Sequence, residues 1–226
     1  MIEGLYLITP QGAEEHILKT VSDGLLGGAR IVQYRDKQRS PDARVDLAHQ
    51  LVRLCKAAGA VLLVNDDPEL ALACCADGVH LGQKDGSVHD ARRLLGADKL
   101  IGVSTRSVDQ ALKAEMAGAD YIGVGSIFPT STKDDAQQVG IETLRKIRMA
   151  VKIPLVAIGG IDAMNGAEAI AAGADALAVI SAVADDHDPA LAARELSLLF
   201  NARRARETTR VRTIAGSDSG GGAGIQ

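Results

Sequence analysis

Three stretches of this 226-residue sequence set amide and charged side chains where short apolar runs end. The first is Gln33-Tyr34-Arg35-Asp36-Lys37, the second Asn65-Asp66-Asp67-Pro68, the third Leu81-Gly82-Gln83-Lys84-Asp85. A period of two puts Gln33, Arg35 and Lys37 on one side of an extended chain, a combination suited to a multiply charged anion. Two carboxylates at the mouths of adjacent strands, Asp66 or Asp67 with Asp85, can share one hard cation. Mg²⁺ usually takes one or two carboxylates and completes its shell with water and phosphate oxygens. Each aspartate also has a plain structural alternative: Asp66 or Asp67 capping the next helix, and Asp85 turning the loop.

Further along, Gly102-Val103-Ser104-Thr105 ends a run with hydroxyl donors, and Ser104 could equally cap the following helix. Gly123-Val124-Gly125-Ser126-Ile127-Phe128-Pro129-Thr130-Ser131-Thr132-Lys133 combines a restrained turn, three hydroxyls and a cation, which suits a phosphate loop. Gly159-Gly160-Ile161 and Ile180-Ser181 supply main-chain amides that an anion can approach without a Cβ in the way. Two anion sites imply two phosphorylated small-molecule substrates. His80 lies inside a strand, where a satisfied core histidine competes with a catalytic one. His16, His49, His89 and His187 read as surface residues. No Ser or Cys has an evident His partner, so covalent catalysis is not indicated. A complete dinucleotide fingerprint or Walker loop is absent from the barrel stretch.

These groups need a frame that brings many strand ends together. Strands are expected at Gly4–Ile8, Arg30–Arg35, Val61–Asn65, Gly78–Leu81, Leu100–Val103, Tyr121–Gly125, Leu155–Ile158 and Ala176–Ile180. Helices such as Pro41–Ala58, Val108–Ala117, Ile141–Val151 and Met164–Ala172 lie between them. Runs such as Val61-Leu62-Leu63-Val64 are apolar without alternation, as parallel strands covered on both faces are. Small-residue turns recur before strands, as in Ala58-Gly59-Ala60, Ala117-Gly118-Ala119 and Ala172-Gly173-Ala174. Eight such units fit an α/β fold of the (β/α)₈ TIM-barrel type, which needs about 200 to 250 residues and collects function at the C-terminal strand ends. An open doubly wound sheet is the alternative.

Composition narrows the rest. Hydrophobic residues make up 46% and aromatics 2%, so the core is aliphatic. A net charge of −4 argues against a general grip on nucleic acid. The three cysteines, Cys55, Cys74 and Cys75, form no CxxC pair and suit a reducing compartment as packed thiols. Ala167–Ala184 is interrupted by Glu168, Gly173 and Asp175, so no membrane span is expected, and a cytoplasmic location is. Residues 1–200 are read as the barrel domain and 201–210, with Arg203, Arg204, Arg206 and Arg210, as a charged linker. Residues 211–226 form a lone strand opening into a Gly-rich loop and are expected to be disordered.

In this order, the segments Gln33–Lys37, Asn65–Asp67, Gly78–Asp85, Gly102–Thr105, Gly123–Lys133, Ala157–Ile161 and Ala178–Ser181 resemble the thiamine-phosphate synthase family. The resemblance spans about Gly4 to Val183. It implies condensation of an aminopyrimidine-methyl diphosphate with a thiazole-ethanol phosphate, giving thiamine phosphate and diphosphate with Mg²⁺ as cofactor. By motif, Gln33, Tyr34, Arg35, Asp36, Lys37, Asn65, Ser104 and Lys133 would bind the pyrimidine diphosphate. Asp66 and Asp85 would hold Mg²⁺. Thr130, Ser131, Thr132, Gly160, Ile180 and Ser181 would hold the thiazole phosphate. Arg35, Lys37 and Lys133 would act catalytically, by stabilising the departing diphosphate. One departure is Ser126, where the family usually has Pro. Thr213–Gln226 resembles the opening of hydroxymethylpyrimidine phosphate kinases, so the chain reads as the first part of a synthase–kinase fusion, without kinase activity of its own. The rival readings are a thiazole tautomerase and a non-catalytic phosphate-ligand sensor on the same barrel. The oligomeric state stays open, a homo-oligomer included.

Overall fold

A computed structural model describes residues 2–130 and 138–201. Eight strands alternate with eight helices: β1 (Gly4–Ile8), α1 (Glu14–Leu26), β2 (Ile31–Tyr34), α2 (Pro41–Ala57), β3 (Val61–Asn65), α3 (Pro68–Ala73), β4 (Gly78–Leu81) and α4 (Val88–Leu95). They continue as β5 (Leu100–Thr105), α5 (Val108–Met116), β6 (Tyr121–Val124), α6 (Ile141–Ala150), β7 (Leu155–Ile158), α7 (Gly166–Ala171), β8 (Ala176–Val179) and α8 (Ser181–Ala184). All pairings are parallel, and β1 pairs with β8 through Gly4–Ala176 and Leu7–Val179, so the sheet closes in strand order. That pairing excludes the open doubly wound alternative.

Two apolar layers result from strands covered on both faces. The outer one, between sheet and helices, includes Leu7, Val32, Leu62, Val79, Ile122 and Leu177 against Ile17, Leu51, Ala111 and Ile147. The inner one fills the barrel axis with Tyr6, Ile8, Ile31, Leu63, Tyr121, Val156, Ala176 and Ala178. A further helix, α9 (residues 189–201), buries Ala193, Leu196 and Phe200. Its backbone runs so close to Gly27, at the end of α1, that a Cβ there would overlap Ala190 and Ala193.

Element ends follow local chemistry. Pro41 and Pro68 occupy first helical turns, where the missing N–H costs nothing. Asp67, Ser87 and Ser107 cap α3, α4 and α5 by accepting from Leu70, Asp90 and Gln110 amides at 2.9, 3.0 and 3.3 Å. The expected helix from Met164 begins instead at Gly166, because the Asp162 carboxylate accepts from the Met164 and Asn165 amides and holds a turn there. β5 runs to Thr105, two residues beyond its expected end.

The N-terminal face of the barrel is closed by a repeated device. Asp77, Asp120 and Asp175 sit just before β4, β6 and β8, and each accepts from the first or second amide of the strand next door. The bonds are Leu62 at 2.8 Å, Ile101 at 2.7 Å and Leu155 at 2.9 Å. Arg92 and Arg148 pair with Asp120 and Asp175 at 2.6 and 3.0 Å. Two of these aspartates follow the Ala-Gly-Ala turns directly, so the repeat legible in the sequence is a register lock on the face away from the site.

Candidate active site

At the opposite, C-terminal face the strand ends surround an axial funnel lined by Gln33, Arg35, Asn65, His80, Ser104, Gly123, Ile158 and Ile180. Beside it lies a cleft of about 450 Å³ lined by Lys37, Asn65, Asp66, Asp67 and Asp85 among others. Asn65 lines both, so the funnel and the cleft meet at the end of β3.

β2 delivers Gln33 inward, where its amide Nε2 donates to the Tyr6 hydroxyl at 2.7 Å. Arg35 follows on the same side, its backbone pinned by β1: the Arg35 amide donates to Thr9 Oγ1 at 2.9 Å, and its carbonyl accepts from Gln11 Nε2 at 2.9 Å. The period of two ends there. Lys37 lies outside the strand and points into the neighbouring cleft, 3.6 Å from an Asp66 oxygen, so it does not share the funnel with Gln33 and Arg35. Two further expectations are corrected. The Tyr34 side chain is buried in the outer layer between sheet and helices, out of reach of a ligand in the funnel. Asp36 is a loop keystone, accepting from the Gln38 and Arg39 amides at 2.9 and 3.1 Å and from the Arg39 guanidinium. Burial would raise its carboxyl, but these donors hold it below the usual carboxylate range. Asp36 reaches the wall of the cleft with its lone pairs already engaged.

The competing roles of the acidic pair separate cleanly. Asp67 caps α3 and meets Arg44 at 3.0 Å. Asp66 caps nothing; its backbone takes the left-handed conformation (φ 62°) that Asp tolerates, and its amide donates to the His80 carbonyl. Burial and then the negative charge of Asp85 push the Asp66 carboxyl above its ordinary range, against the pull of Lys37. Asp85 is oriented by the Gly82 amide, which donates to its Oδ2 at 3.0 Å. Two carboxylates that repel one another across a polar cleft form a donor set for a hard divalent cation, and neither is consumed by a helix. Among the described residues no group of three or more His, Cys, Asp or Glu is arranged around a metal position. A cation here would therefore complete its shell with water or substrate oxygens.

Ser104 is freed from capping because Ser107 does that work. Its hydroxyl instead meets His80 Nε2 at 2.9 Å, and its carbonyl accepts from Gln83 Nε2 at 2.6 Å. On the far rim, Thr130 is half-buried. Gly160 (φ 64°) lies against the Phe128–Pro129 backbone, where any Cβ would overlap the Pro129 carbonyl oxygen, so glycine is required there by packing. Phe128 N donates to Gly159 O, and Ile127 N to Ile158 O, zipping the loops after β6 and β7 together. Gly160 and Ile180 each stand two residues beyond the paired Ile158 and Ala178, and Ser181 opens α8. Ser131, Thr132 and Lys133 lie outside the described residues.

Ser126 fastens the base of this loop. Its carbonyl accepts from Val139 N at 2.7 Å and Gly140 N at 3.4 Å, and its Oγ donates to the Phe128 carbonyl at 2.6 Å. The peptide bond Gly125–Ser126 is cis.

Sequence reasoning missed the groups behind the funnel floor. Tyr6 and Tyr121 meet hydroxyl to hydroxyl at 3.1 Å, and Tyr121 meets His80 Nδ1 at 2.8 Å. Burial raises both phenols far above their ordinary range, so both stay protonated. The legible signal is Gly102 between them in strand order: a Cβ there would overlap the Tyr121 ring, so the glycine leaves room for an aromatic inside the barrel. Of the cysteines, Cys55 and Cys74 are buried, the Cys55 thiol pushed up to about 12 by burial and Asp77, whereas Cys75 is exposed. No described helix is long and apolar enough to cross a membrane.

Residues 5–183 match the family profile described as thiamine monophosphate synthase. The chain is 50% identical over all 226 residues to the thiamine biosynthesis bifunctional protein ThiED of Geobacter sulfurreducens, and spans 46% of that protein's length. It is 45% identical to the thiamine-phosphate synthase of Methylococcus capsulatus, across 90% of this chain and 92% of that one. Among solved structures, thiamine phosphate pyrophosphorylase from Pyrococcus furiosus superposes with a TM-score of 0.81 at 39% identity, covering 88% of this chain and 96% of that one. Neither the tautomerase nor the sensor reading gains support from these relatives.

Proposed function

The chain belongs to the thiamine monophosphate synthase family and is a transferase that forms thiamine phosphate; from that premise we propose how its barrel mouth divides the work. The aminopyrimidine ring occupies the axial funnel between Gln33 and Ser104. Its diphosphate extends past Asn65 toward Lys37, Asp66 and Asp85, and the thiazole phosphate sits by Thr130, Gly160, Ile180 and Ser181, with the hydroxyls of Ser131 and Thr132 as its further proposed ligands. The observation that carries this reading is the shared position of Asn65. It joins a narrow, largely apolar funnel suited to a ring with an acidic cleft suited to a cation and its phosphates.

Asp66 and Asp85 fit Mg²⁺, since each is a carboxylate without a helix to cap and the negative charge of Asp85 raises the cost of charging Asp66. Mg²⁺ held there would supply positive charge to the leaving diphosphate. Arg35, Lys37 and Lys133 neutralise the same group as its C–O bond breaks. The electron-rich aminopyrimidine carries the resulting methylene cation, and the funnel walls of Ile8, Val156 and Ile158 keep water from it. The thiazole nitrogen brings its own lone pair and requires no general base. The protein's share is position and electrostatics.

The tail and the bifunctional relative together support a longer protein in which residues 201–210 link this barrel to a pyrimidine phosphate kinase beginning near residue 211. The free thiols fit a reducing, cytoplasmic setting. Mixing both phosphorylated substrates with Mg²⁺ tests the reading. Thiamine phosphate and diphosphate are expected in equal amounts; binding of the thiazole phosphate with no product would return a sensor role to first place.

A further inference from the structure

Five side chains under the funnel form one continuous hydrogen-bonded chain across the barrel: Gln33, Tyr6, Tyr121, His80 and Ser104, with links of 2.7, 3.1, 2.8 and 2.9 Å. The two ends line the funnel, as does His80, and Tyr6 lies at its floor. The middle is buried: Tyr6 and Tyr121 are 1% and 0% exposed. A phenol has a single proton, so the links cannot be oriented independently. Gln33 Nε2 donates to Tyr6. Continuing in the same sense, with each hydroxyl spending its one proton on the next member, Tyr6 would donate to Tyr121 and Tyr121 to His80 Nδ1, and the imidazole, accepting at Nδ1, would donate from Nε2 to Ser104. The Ser104 proton is thereby turned toward the funnel, and the Gln33 carbonyl oxygen is left as an acceptor. Reversing any link reverses them all: Gln33 would present N–H, and Ser104 would spend its proton on His80.

We propose that Tyr6, Tyr121 and His80 are positioning residues that fix this polarity. They make Gln33 an acceptor and Ser104 a donor, so that the site selects a pyrimidine offering an amino N–H to the first and a ring-nitrogen lone pair to the second. This rests on the assignment of the funnel to the pyrimidine. An oxo-pyrimidine places a carbonyl where the amino group was and a proton on the ring nitrogen beside it, while the nitrogen opposite, the one that faces Ser104 across the funnel in this proposal, keeps its lone pair. To satisfy it Gln33 must turn its amide, which flips the chain and removes the Ser104 donor, so one polar contact is lost whichever way the chain runs. Amine and oxo rings of the same shape are separated by hydrogen-bond direction, set in part by Tyr121, which does not line the funnel.

The test uses the full chain and two non-reacting probes, the aminopyrimidine monophosphate and its oxo counterpart, with dissociation constants measured by calorimetry. Wild type favours the amino probe. Tyr121→Phe cuts the chain at its centre, so Gln33 can turn without disturbing Ser104. The preference falls by about tenfold or more, mainly because the oxo probe gains affinity. A merely structural role would weaken both probes alike. Tyr6→Phe interrupts the next link and serves if Tyr121→Phe does not fold. An unchanged preference in a folded variant overturns the inference alone. A wild-type enzyme that binds neither probe fails the pyrimidine assignment itself, and the inference with it.

Discussion

Asp66 and Asp85 repel one another in the absence of a cation, and that repulsion is measurable as stability. Asp85 is exposed and solvent screens the pair, so Asp85→Asn is expected to raise the melting temperature in chelator by only about 1 °C. The same substitution should abolish the upward shift that Mg²⁺ with diphosphate gives wild type, as read by differential scanning fluorimetry. A fall in chelator would mean that Asp85 mainly supports its loop through the Gly82 amide. Lys133→Ala should reduce turnover more than affinity for the thiazole phosphate, in steady-state kinetics with each substrate varied; equal losses would reassign Lys133 to the thiazole side. Much of this layer is legible from position alone. Gln33, Asn65, Asp66 and Ser104 each stand at the end of an apolar run, and parallel strands bring such ends together. Tyr34 departs from expectation because the alternation that turns Gln33 and Arg35 inward turns it outward, and Asp36 because its turn redirects the chain beyond Arg35. His80 is legible as a strand histidine with a core and a catalytic role both open to it, whereas Tyr6 and Tyr121 escape a sequence reading because buried aromatics in a strand are ordinary core residues until a neighbouring glycine shows that the barrel made room for them.

The elements divide by the end of the barrel they serve. At the N-terminal face, Asp175 accepts from Leu155 N and pairs with Arg148. Asp175→Ala should cost about 2 kcal/mol through those lost charged hydrogen bonds, with turnover per folded molecule unchanged. Lost turnover in protein that stays folded would contradict this division of faces. At the C-terminal face, Gly160→Ala forces the loops after β6 and β7 apart, because the added Cβ overlaps the Pro129 carbonyl and the backbone is left-handed. A several-fold higher KM for the thiazole phosphate is expected with little change for the pyrimidine diphosphate; equal effects on both would detach Gly160 from the thiazole rim. The Ala-Gly-Ala turns announce the strands correctly, but nothing in the sequence shows that the aspartates after two of them lock register. Only the paired amide, Leu155 or Ile101, reveals that role.

For the whole molecule, closure through β1 and β8 puts residues 33 and 180, far apart in the chain, on one funnel. The fold is legible because eight apolar runs at barrel spacing have few other ways to cover both faces. α9 is less so: the polar composition from residue 201 suggests a linker, yet that residue still belongs to the helix that seats Phe200 against the outer layer. Function at this scale is the formation of thiamine phosphate, for which the proposed course is cation-assisted departure of diphosphate at the assembled mouth. Its most direct measurement is the initial rate of thiamine phosphate formation from both substrates, in Mg²⁺ and in excess chelator, for wild type and Asp85→Ala. The account predicts rapid product in wild type with Mg²⁺ and a loss of about a thousandfold in chelator or in a folded Asp85→Ala enzyme. Undiminished wild-type turnover in chelator would contradict it.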